Sequence, residues 1–265
     1  MRPAFKTAAR ALGLRRSDLV AARVRYERTV IPAMRRRPAA ASGRVLCYHS
    51  VGTREWGIND VPPQLFRSQL EMALALGYRF VPADRIAAGL GQDHELAVTF
   101  DDGMRSVYDN AAPILADLRI PWTVFVVCDW ADGNVDRPEL FMRWHDIRQA
   151  AKAGAAIGSH SMTHPDFGSL SDEEARIELW VSRRVIRERT GLGVDTFAIP
   201  FGQSRNWRPG LSSLAGSLGY RTIYAQAADS RVEGTVPRTF VTRFDRGRIF
   251  KAALRGAFDR WEEPA

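Results

Sequence analysis

The stretch Leu96-Ala97-Val98-Thr99-Phe100-Asp101-Asp102-Gly103 runs apolar and β-branched for five residues and then stops on two carboxylates and a glycine. A short apolar run closed by turn residues predicts a strand buried on both faces, the kind found in parallel sheets. The same grammar recurs on either side. Arg44–His49, Trp122–Val127, Ala155–Ser159, Thr196–Ile199, Tyr220–Ala225 and Thr239–Phe244 read as further strands. Between them lie helical stretches: Pro63–Leu76 closed by Gly77, the residues after Gly103 to about Leu118, and Arg143–Ala153 closed by Gly154. Ser171 with Glu174 has the spacing of a capping box and opens a long helix to about Thr190. Regular strand–helix alternation predicts parallel strands with helices packed outside, either a barrel or a doubly wound sheet.

The charge is unevenly placed. The chain of 265 residues has a formal net charge of +8, which suggests a nucleic-acid or membrane partner until it is located. Residues 1–43 alone carry ten Arg and Lys6 against Asp18 and Glu27. The remaining body is close to neutral, which excludes the nucleic-acid reading for it. Phe5, Ala8, Ala9, Leu12, Leu19, Val20 and Val24 repeat at helical spacing among those arginines, and Pro32 and residues 38–43 read as a linker. The expected organisation is a basic, partly helical leader with its linker over 1–43 and a catalytic domain over 44–265. The leader fits either a helix lying on an anionic membrane surface or one packed on the body. Arg10, Arg15 and Arg16 interrupt any secretory apolar run and no spanning segment is visible, so the expected location is cytoplasmic, with peripheral contact at the inner membrane face. Cys47 and Cys128, the only cysteines, are too few for a disulfide framework and read as buried thiols.

The reactive residues cluster by position. Asp101-Asp102, His160 with His164, and Pro200-Phe201-Gly202 each fall just past the end of a predicted strand, where sites assemble in parallel β/α folds. Two imidazoles and a carboxylate make a three-ligand site with one position left for water, a set that suits zinc. Asp102, His160 and His164 fill those places. A metalloprotease pattern would set a Glu beside the first His, and Ser161 stands there instead. Asp101 is then the candidate general base, provided the turn at Gly103 aims both carboxylates at one site.

These segments resemble a known family. Leu96–Gly103, Gly158-Ser159-His160-Ser161-Met162-Thr163-His164-Pro165 and Phe197-Ala198-Ile199-Pro200-Phe201-Gly202 are similar to the first three motifs of the polysaccharide deacetylase (NodB-homology, carbohydrate esterase family 4) domain. Val45-Leu46-Cys47-Tyr48-His49-Ser50 resembles the first strand of a subgroup that acts on poly-N-acetylglucosamine. The resemblance implies a distorted, incomplete (β/α)7-type barrel that removes an N-acyl group, usually acetyl, from a polymeric or lipid-linked amino sugar. It also implies Asp101 as base and Asp102, His160 and His164 as ligands of a divalent metal.

Two departures shape the rest. Ala198 stands where the family's third motif begins with Arg, so Arg238 or Arg243 from the last strand is the candidate to orient the base. The family's late histidine is missing, since none follows His164; His49, at the end of the first strand, becomes the candidate general acid, with His94 and His145 reading as surface residues. Pro200 and the backbone N–H of Phe201 are the candidate oxyanion and substrate contacts. Trp56, Trp130, Trp144 and Trp207 fit either stacking on sugar faces or core packing, whereas Trp122 and Trp180 read as core. Two other functions fit the same residues: a deformylase or amidase acting on a small amino-sugar conjugate, and a non-catalytic carbohydrate-binding module.

Overall fold

A computed structural model describes residues 16–34, 43–226, 233–259 and 261–262. Seven parallel strands form the frame. In chain order the strands are β1 (Arg44–Tyr48), β2 (Ser50–Val51), β3 (Asp60–Val61), β4 (Arg79–Phe80), β5 (Glu95–Phe100), β6 (Trp122–Val126), β7 (Ala156–Ser159), β8 (Thr196–Ala198), β9 (Thr222–Tyr224) and β10 (Arg238–Phe240). The sheet runs β10-β1-β5-β6-β7-β8-β9, with β4 joining beside β5 and β2–β3 forming a separate parallel pair. Among the described residues β9 and β10 do not pair; a Tyr224–Val236 bridge, backbone bonds such as Arg238 N to Gln226 O, and Arg238 Nε to Ala225 O lie between them. The barrel is therefore incomplete, with seven principal strands, as expected.

Side-chain alternation divides the core. Val45, Ala97, Phe125, Ala198 and Tyr224 share one cluster, while Leu46, Tyr48, Val98, Phe100, Val124 and Val126 belong to a larger one with the helices. Successive strand residues point to opposite faces, so the first set fills the barrel interior and the second faces the helical layer. Gly158 lies where β7 passes Phe125; a Cβ there would collide with the Phe125 ring. Gly158→Ala should destabilise the fold by about 1–3 kcal/mol, the usual penalty for overpacking, read as a lower urea midpoint with unchanged slope.

The outer helices follow their sequence signals. They are α1 (Arg16–Met34), α2 (Pro63–Ala75), α3 (Ala83–Ala87), α4 (Ala112–Asp117), α5 (Cys128–Asp132), α6 (Trp144–Lys152), α7 (Asp172–Thr190), α8 (Leu211–Ser217) and α9 (Gly247–Leu254). Helix α7 has the expected capping box, with Ser171 and Glu174 bonding reciprocally, and ends on Gly191 at φ 76°. The helix expected after Gly103 starts at Arg105 and passes through a π turn over Val107–Ala111.

Two expectations fail here. Pro32 does not end the first helix, because α1 continues through it to Met34. Trp180 is not core: it is 48% exposed. The buried stripe of α7 is Ala175, Leu179, Ser182 and Ile186, a four–three–four spacing that leaves Trp180 off the seam.

Helix α1 packs on the body. Val24 and Arg28 are buried, and Val24 joins Phe240, Ala253, Ala257, Phe258 and Trp261 in a satellite cluster. Of the two settings expected for the leader, packing describes this helix; Phe5, Ala8, Ala9 and Leu12 lie outside the described residues. No described helix is long and apolar enough to cross a membrane.

Candidate active site

Register brings the reactive residues together. Cys47 pairs with Thr99 across β1–β5 and with Phe240 across β1–β10. The Asp101 N–H donates to Tyr48 O at 3.0 Å, so Asp101 and His49 emerge side by side at one rim. His160 N–H donates to Val126 O at the end of β6, which delivers the histidine to the same rim. Asp102 adopts φ 69° and Gly103 φ 63°. The turn that separates the adjacent carboxylates therefore starts at Asp102 itself and does not depend on Gly103 alone. Ser161, His164 and Phe201 are also left-handed, at φ 75°, 63° and 63°. Such backbone strain in non-glycine residues collects where surrounding structure enforces a functional geometry.

Asp102, His160 and His164 converge. Each histidine Nε2 lies 3.5 Å from Asp102 Oδ1, and the three potential ligand atoms all lie within 4.8 Å of one another. Metal–ligand bonds of about 2.0–2.1 Å in a tetrahedron place neighbouring ligands about 3.4 Å apart, close to this spacing. His160 Nδ1 bonds Ala198 O at 2.8 Å, which leaves Nε2 aimed at the cluster. Burial, aided by the His160 charge, pushes His164 down to about 4, so its ring is neutral and ready to ligate at neutral pH. Burial opposes ionisation of Asp102, but the His160 hydrogen bond and the surrounding imidazoles hold its carboxyl far below the usual range. The donor set fits a divalent metal.

Asp101 is clamped beside it. Arg238 Nη1 and Nη2 donate to Asp101 Oδ1 and Oδ2, both at 2.7 Å. Such a bidentate fork fixes the carboxylate plane. Burial would raise the Asp101 pKa; the Arg238 guanidinium and His160 outweigh it and hold the group below its ordinary value. Of the two arginines expected beside the base, Arg238 makes this contact. Arg243 does not bond Asp101: it is beyond β10, half-buried, with Nη1 3.5 Å from Gly57 O. Cys47 is buried as expected, and its Sγ also lies 3.4 Å from Asp101 Oδ2. Only the long-range register places a thiol there.

His49 is buried at the rim, near enough for its charge to depress both Asp101 and Asp102. His94 and His145 are exposed, as expected. The segment after His49 is held by Asp60, whose Oδ1 accepts from Ser50 Oγ, Gly52 N and Thr53 N, and by Ser106 and Asn110, which bond the Val51 backbone. Sequence reading passed over these anchors because none belongs to a motif. Pro200 is buried, and Phe201 is 52% exposed, its ring 4.8 Å from that of His164. The Phe201 N–H donates no hydrogen bond among the described residues. Gln203 Nε2 bonds both Phe201 O and Gln226 Oε1, which secures the turn. Trp130 stacks on His164 at 5.0 Å and meets Phe141, which Trp56 contacts edge-on. Trp144 and Trp207 are instead buried in the main core.

The polysaccharide deacetylase family model matches residues 89–223, which include Asp101 and the Asp102–His160–His164 cluster. The chain belongs to this family. The deacetylase family is also met among individual relatives. A chitooligosaccharide deacetylase of Sinorhizobium fredii is 33% identical over 91 residues, 34% of this chain and 38% of that protein. One from Rhizobium leguminosarum bv. trifolii is 32% identical over 101 residues, 37% of this chain and 41% of that protein. The chain thus spans less than half the length of these relatives. IcaB from Ammonifex degensii shares the fold at a TM-score of 0.66 and 24% identity, covering 83% of this chain and 99% of its own. The Streptococcus pyogenes deacetylase PplD, solved with acetate, gives 0.65 and 20%, covering 76% and 92%.

Proposed function

We propose that this polysaccharide deacetylase family member hydrolyses the N-acetyl group of an amino sugar in a metal-dependent reaction, on a polymeric or lipid-linked substrate. The observation that carries the reading is the pairing of an Arg238-clamped Asp101 with the Asp102–His160–His164 cluster at one rim. Asp102, His160 and His164 would hold a divalent metal, zinc by its donor set, which would supply Lewis acidity beside Asp101. Asp101 accepts the proton of the attacking water as the new C–O bond forms; with Arg238 on both oxygens and the Cys47 thiol on Oδ2, Oδ1 keeps a lone pair for this. The Phe201 N–H donates to the oxyanion, a contribution of about 3–4 kcal/mol for donors of this type. His49 delivers a proton to the nitrogen as the C–N bond breaks, because an amine cannot leave as an anion. Trp130 and Phe201 offer aromatic surface beside the cluster for a sugar face.

The roles separate by leaving group. His49→Ala should lower amide turnover by about 10²–10⁴-fold and leave hydrolysis of an ester with an acidic leaving group nearly unchanged. The decisive experiment measures metal content together with acetate release across chitooligosaccharides, nucleotide-linked and lipid-linked N-acetyl sugars. A metal-loaded protein that releases acetate from none of them, while binding them, would favour the carbohydrate-binding module.

A further inference from the structure

His49 is held by packing and not by a polar partner. Its Nδ1 is buried without a hydrogen-bond partner, and neither ring nitrogen bonds a described residue. The ring contact is Phe240, edge-on at 5.4 Å and 87°. A histidine ring is broadly free about χ2, so a ring with no hydrogen bond points where its neighbours confine it. Phe240 is backed in turn by Trp261, stacked at 5.5 Å with 6° between the planes.

Helix α1 grips that pair. Trp261 Nε1 donates to Glu27 Oε2 at 2.8 Å, and Arg28 Nη2 donates to Phe240 O at 3.0 Å. The Arg28 guanidinium also lies 4.0 Å from the Phe258 ring centroid and 4.9 Å from that of Trp261. Its counter-ion Asp245 is 3.4 Å away, and both side chains are fully buried. Burying an ion pair is costly, and an apolar side chain would cover this cluster at less expense. What the arginine adds is a directed grip on the Phe240 backbone and ring stack.

We propose that α1 belongs to the catalytic machinery: Arg28 is a positioning residue that acts through Phe240 and Trp261 to aim His49 at the leaving nitrogen. The inference rests on His49 being the acid. Helix α1 lies outside residues 89–223, the segment matched by the family, so this support is a feature of the chain's own flanks.

The test uses the full chain, with chitooligosaccharide as amide substrate and p-nitrophenyl acetate, whose leaving group needs no proton. One variant combines Arg28→Met with Asp245→Asn, so that no lone charge stays buried; the second is Phe240→Leu. Both should lose about 10- to 100-fold in amide kcat, as mispositioned catalytic groups do, with KM and metal content retained and ester turnover within about twofold. Arg28→Lys should keep part of the amide rate. Equal losses on both substrates, or none, would overturn the inference. His49→Ala is run beside them. If it shows no amide–ester split, the acid assignment fails and the inference with it; if it alone shows the split, only the positioning role of Arg28 fails. Should the double variant not fold, Phe240→Leu decides.

Discussion

The His160→Ala protein is expected to hold no stoichiometric divalent metal and to release no acetate above background. Three protein ligands leave little redundancy: removing an outer contact to a ligand typically costs 10–100-fold in affinity, and removing a ligand costs more. Asp102→Ala should behave alike, because Asp102 Oδ1 is the atom both histidines face. His160 is buried and bonds Ala198 O, so its loss also leaves a carbonyl unpaired, at about 1–3 kcal/mol. His164 makes the cleaner case. Its side chain is 13% exposed and stacks on Trp130 without a side-chain hydrogen bond, so His164→Ala should empty the site with less damage to the fold. Metal per chain by elemental analysis, with thermal unfolding as the control, separates the two effects. Full metal occupancy in His160→Ala would end the three-ligand assignment.

How much of this site was legible depended on whether local pattern or long-range register decides a residue's place. The strand ends were local. Apolar runs that break on Asp101, His160 and Pro200 announce the rim of a parallel barrel, and the His-x-x-x-His spacing adds the second imidazole. The third contributor to the base was half legible. Ala198 signalled a missing cation, yet Arg243 inside the expected strand Thr239–Phe244 and Arg238 just before it both suited the place. The strand is Arg238–Phe240, aligned on Val45 to Cys47 of β1, and that register turns Arg238 inward and leaves Arg243 in the following loop. Phe240, Trp261 and Arg28 were invisible for the same reason: 212 residues separate Arg28 from the carbonyl it bonds. Trp180 was legible in principle, since the period of α7 excludes it from the buried stripe.

Asp101→Asn should keep its metal and lose about 10²–10⁴-fold in kcat, the range for removing a general base. Asparagine preserves shape but offers an amide that cannot take the proton of water, and one of its two faces meets an Arg238 nitrogen donor to donor. The companion variant, Arg238→Met, tests the clamp through pH. Two influences act on Asp101: burial, which favours the neutral acid, and Arg238, which favours the carboxylate. In the native protein their balance, with His160, lies below the ordinary carboxylate range of about 4, so the base is ionised across neutral pH. Without the guanidinium, burial remains and the pKa rises. The acid limb of the kcat/KM profile should therefore move to higher pH in Arg238→Met, and the plateau should fall because the carboxylate plane is no longer fixed. Arg238→Lys keeps the charge but not the fork, so it should restore much of the limb and less of the plateau. An Arg238→Met profile with an unmoved acid limb would mean that Asp101 is not the group whose ionisation controls turnover.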